Sequence, residues 1–200
     1  MGRKSDAKER LLDAALDLIW ERSYGVVTID AICSKAGVKK GSFYYFYDSK
    51  SALATAALNE DWQKFGRAKW DKIFSASTPP LDRIRNFLIS VYDGQKEVQE
   101  KHGQVLGCPC FTIGSEISTQ DEELRLKSQE ILQSQIRYFE SAIRDAQAEG
   151  SIPPGDAALK GRSLFALFEG TLGQARIHND LELLRGLPDA AVSLLGAKPV

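Results

Sequence analysis

Two short amphipathic segments joined by a glycine turn, within residues 28–50, constrain the fold of this chain more than any other feature. Apolar residues recur at helical spacing over residues 29–35, which predicts a short helix. Gly37 follows, and glycine can adopt the left-handed backbone conformation of a tight turn without steric cost. A second short helix is predicted over residues 39–47. Two helices in this arrangement are typical of a helix-turn-helix motif.

The second helix of the motif carries different chemistry on its two faces. Phe43, Phe46 and Tyr47 recur at the i, i+3 and i+4 positions and can pack inward. Lysine, serine and tyrosine side chains are left on the outer face, where they can bind phosphates and base edges. A solvated helix face is the alternative interpretation. The agreement between spacing and chemistry favours a surface that reads DNA.

The residues predicted to contact DNA lie on this outer face and at the starts of the neighbouring helices. Thr28 is expected to cap the first helix of the motif, whose N-terminal amides can face a phosphate. Tyr44 and Lys50 are expected to bind phosphates. The whole predicted set is Thr28, Lys39, Lys40, Gly41, Ser42, Tyr44, Tyr45 and Lys50. Within it, the predicted base readers are Lys39, Ser42 and Tyr45.

Helical periodicity continues through the rest of the chain. Long helices are predicted over residues 49–76, 121–149 and 157–177, and the proline-rich segments SASTPP and SIPPGD predict breaks between helices. Strand patterns do not rise above background. We therefore predict an all-α protein, in which an N-terminal three-helix helix-turn-helix head is joined by a long helix to a helical body.

Composition excludes several other classes of protein. The 200 residues carry a formal net charge of −1, so the whole chain is no polycation, although residues 1–50 hold nine basic and seven acidic residues. No segment approaches the roughly 18 consecutive apolar residues of a membrane helix. The opening residues, MGRKSDAKER, are too polar for a signal peptide. We expect a cytoplasmic protein that makes no membrane contact.

The helix-turn-helix region resembles the TetR family of bacterial transcriptional regulators. The resemblance is carried by TI at residues 28–29, AGV at 36–38, KGSFYYFY at 40–47 and SKSAL at 49–53. Tyr45 departs from the family pattern, which often has histidine there. Asp48 stands where proline or lysine is more common. These motifs cover about a quarter of the chain, and the remainder matches the family in length and helical layout.

The resemblance implies a function for each part of the chain. Residues 1–50 would form the helix-turn-helix DNA-binding domain, and residues 51–200 a ligand-binding and dimerisation domain. A homodimer would bind a palindromic operator, with a recognition helix of each head in the major groove and half-sites about one helical turn apart. Repression would be released by a small-molecule inducer bound in the body. No enzymatic activity, cofactor or metal is implied.

Aromatic residues are numerous in the body and predict an apolar ligand pocket between helices. A pocket of this kind needs apolar walls and a few polar groups. Plain core packing is the alternative for any single residue. The candidate lining residues are Trp62, Phe65, Phe87, Tyr92, Phe111, Glu116, Phe139, Phe168 and His178.

Two of the three cysteines flank a proline in the sequence GCPC. Cys108 and Cys110 can form a thiol sensor for oxidants or electrophiles, because a following helix N-terminus favours the thiolate. The alternative is two small apolar residues in a kinked loop. A thiol oxidoreductase is a third hypothesis, which rests on the Cys-Pro-Cys tripeptide alone. Two cysteines and two distant histidines do not make a recognisable zinc spacing.

Small residues alternate with bulky apolar ones between residues 159 and 175. Small side chains let a second helix approach closely, which fits a two-fold dimer interface. A buried central helix of a monomer is the alternative, and the family resemblance favours the dimer. The residues predicted at this interface are Phe165, Phe168, Gly170, Leu172 and Gly173.

Overall fold

The computed structural model describes residues 2–197, with side chains described from Asp6 onward. Every regular element in this range is helical, which confirms the all-α prediction. The α-helices are α1 (Gly2–Glu21), α2 (Ile29–Ala36), α3 (Lys40–Phe46), α4 (Lys50–Asp61), α5 (Arg67–Ile73), α6 (Pro80–His102), α7 (Pro109–Ile117), α8 (Glu122–Ala148), α9 (Ala157–His178) and α10 (Leu187–Leu194). A π-helical turn covers Trp62–Gly66 and a 3₁₀ turn covers Leu181–Leu184.

The π-helical turn is a departure from the single helix expected over residues 49–76. It separates α4 from α5 at Trp62–Gly66. The sequence has no proline there, and the apolar stripe continues across the turn, so periodicity alone gave no sign of the change. Short π segments within α-helices interrupt the regular hydrogen-bonding ladder without ending the helix.

The described chain divides into two compact units. The first runs to Phe65 and also includes Pro109–Leu132, and the second comprises Gly66–Cys108 together with the chain from Gln133 onward. The first unit therefore contains α7 and the start of α8 as well as the helix-turn-helix. The division of function after residue 50 remains a prediction.

The core of the first unit forms where α1 packs against α2 and α4. Leu11 of α1, Ile32 of α2, Phe43 of α3 and Leu53 of α4 are all fully buried there. Each of these side chains removes apolar surface from water, which is the main stabilising contribution in a domain of this size. The buried set holds the three head helices and α4 together.

The core of the second unit is an aromatic cluster. Trp70 and Phe87 have ring centroids 4.1 Å apart, and Phe87 lies 5.4 Å from Phe139 and 5.3 Å from Phe168. Most of these rings meet edge-to-face or tilted, the arrangements that aromatic quadrupoles favour.

Within residues 2–197, no helix is both long and apolar enough to cross a membrane.

Candidate nucleic-acid interface

The turn of the helix-turn-helix is fixed by caps at both ends of α2. Thr28 precedes the helix, and its hydroxyl accepts a hydrogen bond of 3.1 Å from the amide of Ala31. Gly37 ends the helix with φ of +63°, a conformation that favours glycine. The amide of Val38 then donates to the carbonyl of Cys33 at 3.0 Å. These bonds set the direction in which the chain enters α3.

Helix α3 is anchored by one aromatic ring and exposes two others. Phe43 is completely buried. Tyr44 and Tyr45, its neighbours in sequence, are 53% and 65% exposed. Two adjacent large aromatic side chains on one exposed helix face form an apolar patch. Such a patch favours an interaction with a partner. The structure thus places these two predicted DNA contacts on the outer face.

The remaining polar residues of α3 surround the two tyrosines. Lys39 occupies the N-cap position and is exposed, while Ser42 is half-buried. Lys40 forms an ion pair of 2.9 Å with Asp30 of α2, and this carboxylate raises the pKa of Lys40. A Cβ added at Gly41 would meet no atom of the described chain within 4 Å, so the backbone there is open to close approach by a partner.

Lys50 takes a different position from the phosphate contact expected of it. Its ammonium donates hydrogen bonds to the carbonyls of Tyr24 at 2.7 Å and Val27 at 2.9 Å. It also lies 4.1 Å above the centre of the Tyr24 ring. Burial of the ammonium lowers the pKa of Lys50. The side chain is half-buried and its charge is directed at the α1–α2 loop, so Lys50 shapes the head instead of offering a free cation.

Glu116 takes a different position from the ligand pocket expected of it. From α7, its carboxylate accepts hydrogen bonds from the amides of Tyr24 at 2.9 Å and Gly25 at 2.8 Å. Both amides belong to the loop that Lys50 holds through its carbonyls. Sequence reasoning missed this role, because the two partners are separated by more than 90 residues in the chain.

The nine residues expected to line a pocket are divided between the two units. Trp62, Phe65, Phe111 and Glu116 belong to the first unit, and Phe87, Tyr92, Phe139, Phe168 and His178 to the second. Phe65 is 67% exposed, and Phe111 and His178 are exposed as well. Tyr92 contacts Glu182 and Arg185 at the surface. Phe87, Phe139 and Phe168 are brought together, but they pack on one another as core.

The two cysteines of the GCPC segment differ in accessibility. Cys110 is buried, whereas Cys108 is half-buried. Cys108 shares a hydrogen bond with Glu169, a residue of α9 that is only 2% exposed. Burial raises the pKa of Glu169 to about 8, and the bond with Cys108 partly opposes that shift. Sequence reasoning missed Glu169, although a lone acid between Phe168 and Gly170 in an apolar helix was the available signal.

Of the five residues expected at the dimer interface, α9 turns only the two glycines outward. Phe165, Phe168 and Leu172 are buried within the protomer, so their side chains belong to its own core. Gly170 and Gly173 have open space where a Cβ would stand. They lie on a stripe at helical spacing that consists of exposed Leu159, Ser163, Ala166, Gly170 and Ile177 and half-buried Gly173. The stripe is apolar, and its ends, Leu159 and Ile177, are 55% and 75% exposed.

Metal chemistry finds no support in the described residues. Among them, no three histidine, cysteine, aspartate or glutamate side chains come together in a group that could hold an ion.

Comparison with known proteins agrees with the fold and the motif. Residues 11–57 match the family described as "Bacterial regulatory proteins, tetR family". Residues 80–190 match "Tetracyclin repressor-like, C-terminal domain". The chain belongs to the TetR family of bacterial transcriptional regulators, as the resemblance predicted. It is therefore a DNA-binding protein of the helix-turn-helix class.

Individual relatives cover nearly the whole chain. The HTH-type transcriptional repressor DhaR of Mycobacterium sp. (strain GP1) is 26% identical over 185 residues, which span 90% of this chain and 88% of that protein. The crystal structure of regulatory protein TetR from Rhodobacter sphaeroides has a TM-score of 0.83 and 25% identity, and covers 94% of this chain and 98% of that one. The reduced form of E. coli NemR has a TM-score of 0.82 and 23% identity, with coverage of 98% and 100%.

Proposed function

We propose that this regulator is a homodimeric repressor that binds a palindromic operator and is released by a small-molecule inducer. The observation that carries the proposal is the outer face of α3, where two exposed tyrosines and two lysines stand on a helix anchored by buried Phe43. Several similar proteins, among them DhaR and NemR, are named transcriptional repressors. Residues 1–50 are assigned to DNA binding, and residues 51–200 to ligand binding and dimerisation.

The DNA contacts follow from the positions of the side chains on α3. Lys39, Ser42 and Tyr45 are the proposed base readers, because they lie at or after the N-terminus of the helix that enters the major groove. Tyr44 is the proposed phosphate contact. Lys40 can bind a second phosphate when it leaves Asp30. The N-terminal amides of α2, behind Thr28, supply a third phosphate position.

Dimerisation is proposed through the exposed stripe of α9. An apolar helix face made of small residues between two larger ones lets the same helix of a second copy approach closely. Two-fold symmetry would place each stripe against its counterpart, because an isologous interface uses the same patch twice. The resulting pair of heads matches a palindrome.

The first experiment is a mobility-shift assay with the DNA immediately upstream of the gene for this protein, at two salt concentrations. A specific complex should be tight, selective and weakened by salt, since lysine–phosphate contacts release counterions. Tyr45→Ala should alter the preference among operator variants. Lys101→Ala, an exposed lysine at the end of α6, is the control and should leave binding unchanged. No shift with this DNA or with a random operator library would contradict the proposal.

A second form of the proposal places the inducer response at a thiol. The observation that favours it is the half-buried position of Cys108 beside the carboxyl of Glu169. Cys108→Ser and Cys110→Ser separate the two forms. Release from DNA that survives both substitutions would remove the thiol form of the proposal.

A further inference from the structure

Glu169 is a buried carboxyl group with one oxygen left without a partner. Its side chain is 2% exposed, and Oε1 has no hydrogen-bond partner among the described residues. Its hydrogen bond with Cys108 therefore involves Oε2. A buried polar atom without a partner has a desolvation cost, so such atoms are rare and often belong to functional sites.

The segment that carries Cys108 is held rigidly against α6 and α9. Gln95 of α6 accepts hydrogen bonds from the amides of Leu106 at 3.1 Å and Gly107 at 2.9 Å. Arg176 of α9 donates to the carbonyl of Leu106 at 2.5 Å. These contacts fix the backbone of the two residues before Cys108, whose thiol lies beside the carboxyl of Glu169.

Glycine at position 107 is part of this arrangement. Gly107 has φ of +72°, and an added Cβ would lie 3.6 Å from Cδ of Arg176 and 3.9 Å from Cγ of Leu172. Asn179, after the end of α9, extends the clamp, since its side chain accepts a hydrogen bond of 2.9 Å from the amide of Val105. A segment with so many fixed bonds pre-organises the group that follows it.

We propose that Cys108 and Glu169 form a receptor site for small uncharged electrophiles in which a carbonyl group is conjugated to a carbon–carbon double bond. The thiol supplies the nucleophile, and the unpartnered oxygen of the carboxyl group supplies a hydrogen-bond donor for the carbonyl oxygen. The ligand is uncharged because it must enter beside a buried carboxyl group, where an added charge has a high desolvation cost.

The reaction exchanges two protons and creates no net charge. The carboxyl group is protonated at neutral pH, because burial raises the pKa of Glu169 to about 8. As the sulfur of Cys108 attacks the β-carbon, a new S–C bond forms and the C=C π pair moves toward the carbonyl. The thiol proton passes to Oε2, and the proton of Oε1 passes to the carbonyl oxygen. The resulting enol then tautomerises to the saturated carbonyl adduct, and Glu169 ends as a neutral acid.

This site deepens the proposed function, since it names the inducer class and the residue that receives it. Cys108 directly precedes Pro109, the first residue of α7, and α7 carries the Glu116 carboxylate that holds the Tyr24–Gly25 loop of the head. An adduct at Cys108 is therefore attached one residue before the helix whose Glu116 holds the Tyr24–Gly25 loop.

The test measures the rate of adduct formation at each cysteine of the full chain by mass spectrometry, without DNA. The probe is methyl vinyl ketone. Iodoacetamide is the second reagent, because it alkylates thiols in a reaction that needs no proton donor. Cys108 should react fastest with methyl vinyl ketone, while buried Cys33 and Cys110 serve as internal controls. Glu169→Gln should slow the reaction of Cys108 with methyl vinyl ketone by about tenfold or more. Its reaction with iodoacetamide should change much less.

The ratio of the two rates distinguishes a specific effect from misfolding of the variant, since loss of structure would change the rates of Cys108 with both reagents together. Glu169→Asp, which keeps an acid, should recover part of the rate with methyl vinyl ketone. Equal rates at the three cysteines, or an unchanged ratio in Glu169→Gln, would overturn the proposal. Selective reaction with hydrogen peroxide and none with methyl vinyl ketone would overturn it too.

A mobility-shift assay on the labelled protein then tests regulation separately. Loss of operator binding after selective labelling of Cys108 supports the role as inducer site, and full binding by the adduct refutes it. If the unlabelled protein binds no DNA, the proposed function fails on its own, whereas the labelling rates still decide the chemistry of the site.

Discussion

Oε1 of Glu116 accepts the amide of Gly25 at 2.8 Å, so a carboxylate of α7 holds the loop that leads into the helix-turn-helix. Oε2 of the same carboxylate accepts a hydrogen bond of 2.9 Å from the amide of Tyr24. A carboxylate with two amide donors is a strong local tie, because hydrogen bonds to a charged group are stronger than those between neutral groups. The tie connects two elements that the sequence separates widely.

Removing this tie should weaken the head. Glu116→Ala should lower the free energy of unfolding by about 1 kcal/mol, because two amides lose a charged acceptor at a solvent-exposed site where water can partly replace it. Glu116→Gln, which retains one acceptor oxygen, should lose less. Urea unfolding followed by circular dichroism measures both. Equal stability of the wild type and Glu116→Ala would show that water replaces the carboxylate without loss.

Lys50 and Lys39 should respond differently to the same substitution. Lys39→Ala should reduce the slope of log affinity against log salt, because it removes an exposed cation of the DNA-facing helix, and it should relax the preference among operator variants, because Lys39 is a proposed base reader. Lys50→Ala should leave that slope nearly unchanged and lower the free energy of unfolding by about 1–3 kcal/mol, since two loop carbonyls lose their donor. Lys50→Met keeps the aliphatic stem and is the control for packing. A salt slope reduced by Lys50→Ala would restore it as a phosphate contact.

Glu169 should make stability depend on pH in a defined window. The pKa of its carboxyl is about 8 in the folded protein, above the ordinary value of 4.5. Folding therefore favours the protonated form, and this stabilisation is complete below pH 4.5 and is lost as pH rises toward 8. Relative to Glu169→Gln, the wild type should lose about 2–3 kcal/mol of stability between pH 5 and pH 7. Parallel stability curves for the two proteins would contradict the shift.

The exposed stripe of α9 should control the oligomeric state. Gly170→Glu should convert the proposed dimer into monomer, because a charged side chain would enter the centre of an apolar interface. Gly94→Glu is the matched control, since Gly94 is another helical glycine with open space at its Cβ position. Light scattering coupled to size-exclusion chromatography measures the mass of each. A dimer that persists in Gly170→Glu would move the interface elsewhere.

Local features of the head were predictable from the sequence. The cap at Thr28, the left-handed turn at Gly37 and the burial of Phe43 depend on residues within a few positions of one another. The helical layout of the body followed from periodicity for the same reason. Each of these features depends on short-range geometry that the amino-acid pattern records.

The roles of Lys50, Glu116 and Glu169 could not be predicted in the same way. Their partners, Val27, Gly25 and Cys108, lie 23, 91 and 61 residues away in the chain. Packing brings these groups together, and a single sequence does not record which distant positions meet. The outward stripe of α9 was missed for a related reason, since bulky and small residues alternate around the whole helix and only the packed structure shows which side faces solvent.

The ion pair between Lys40 and Asp30 has a consequence for how the regulator searches a chromosome. Lys40 arrives at DNA already neutralised by a carboxylate of its own protein, so it exchanges one anion for another when it meets a phosphate. That exchange gains little on arbitrary sequences, whose attraction is almost entirely electrostatic. A low affinity for the large excess of non-specific sites leaves more of the protein free to find its operator. At the operator, contacts of the exposed tyrosines add affinity that does not depend on charge.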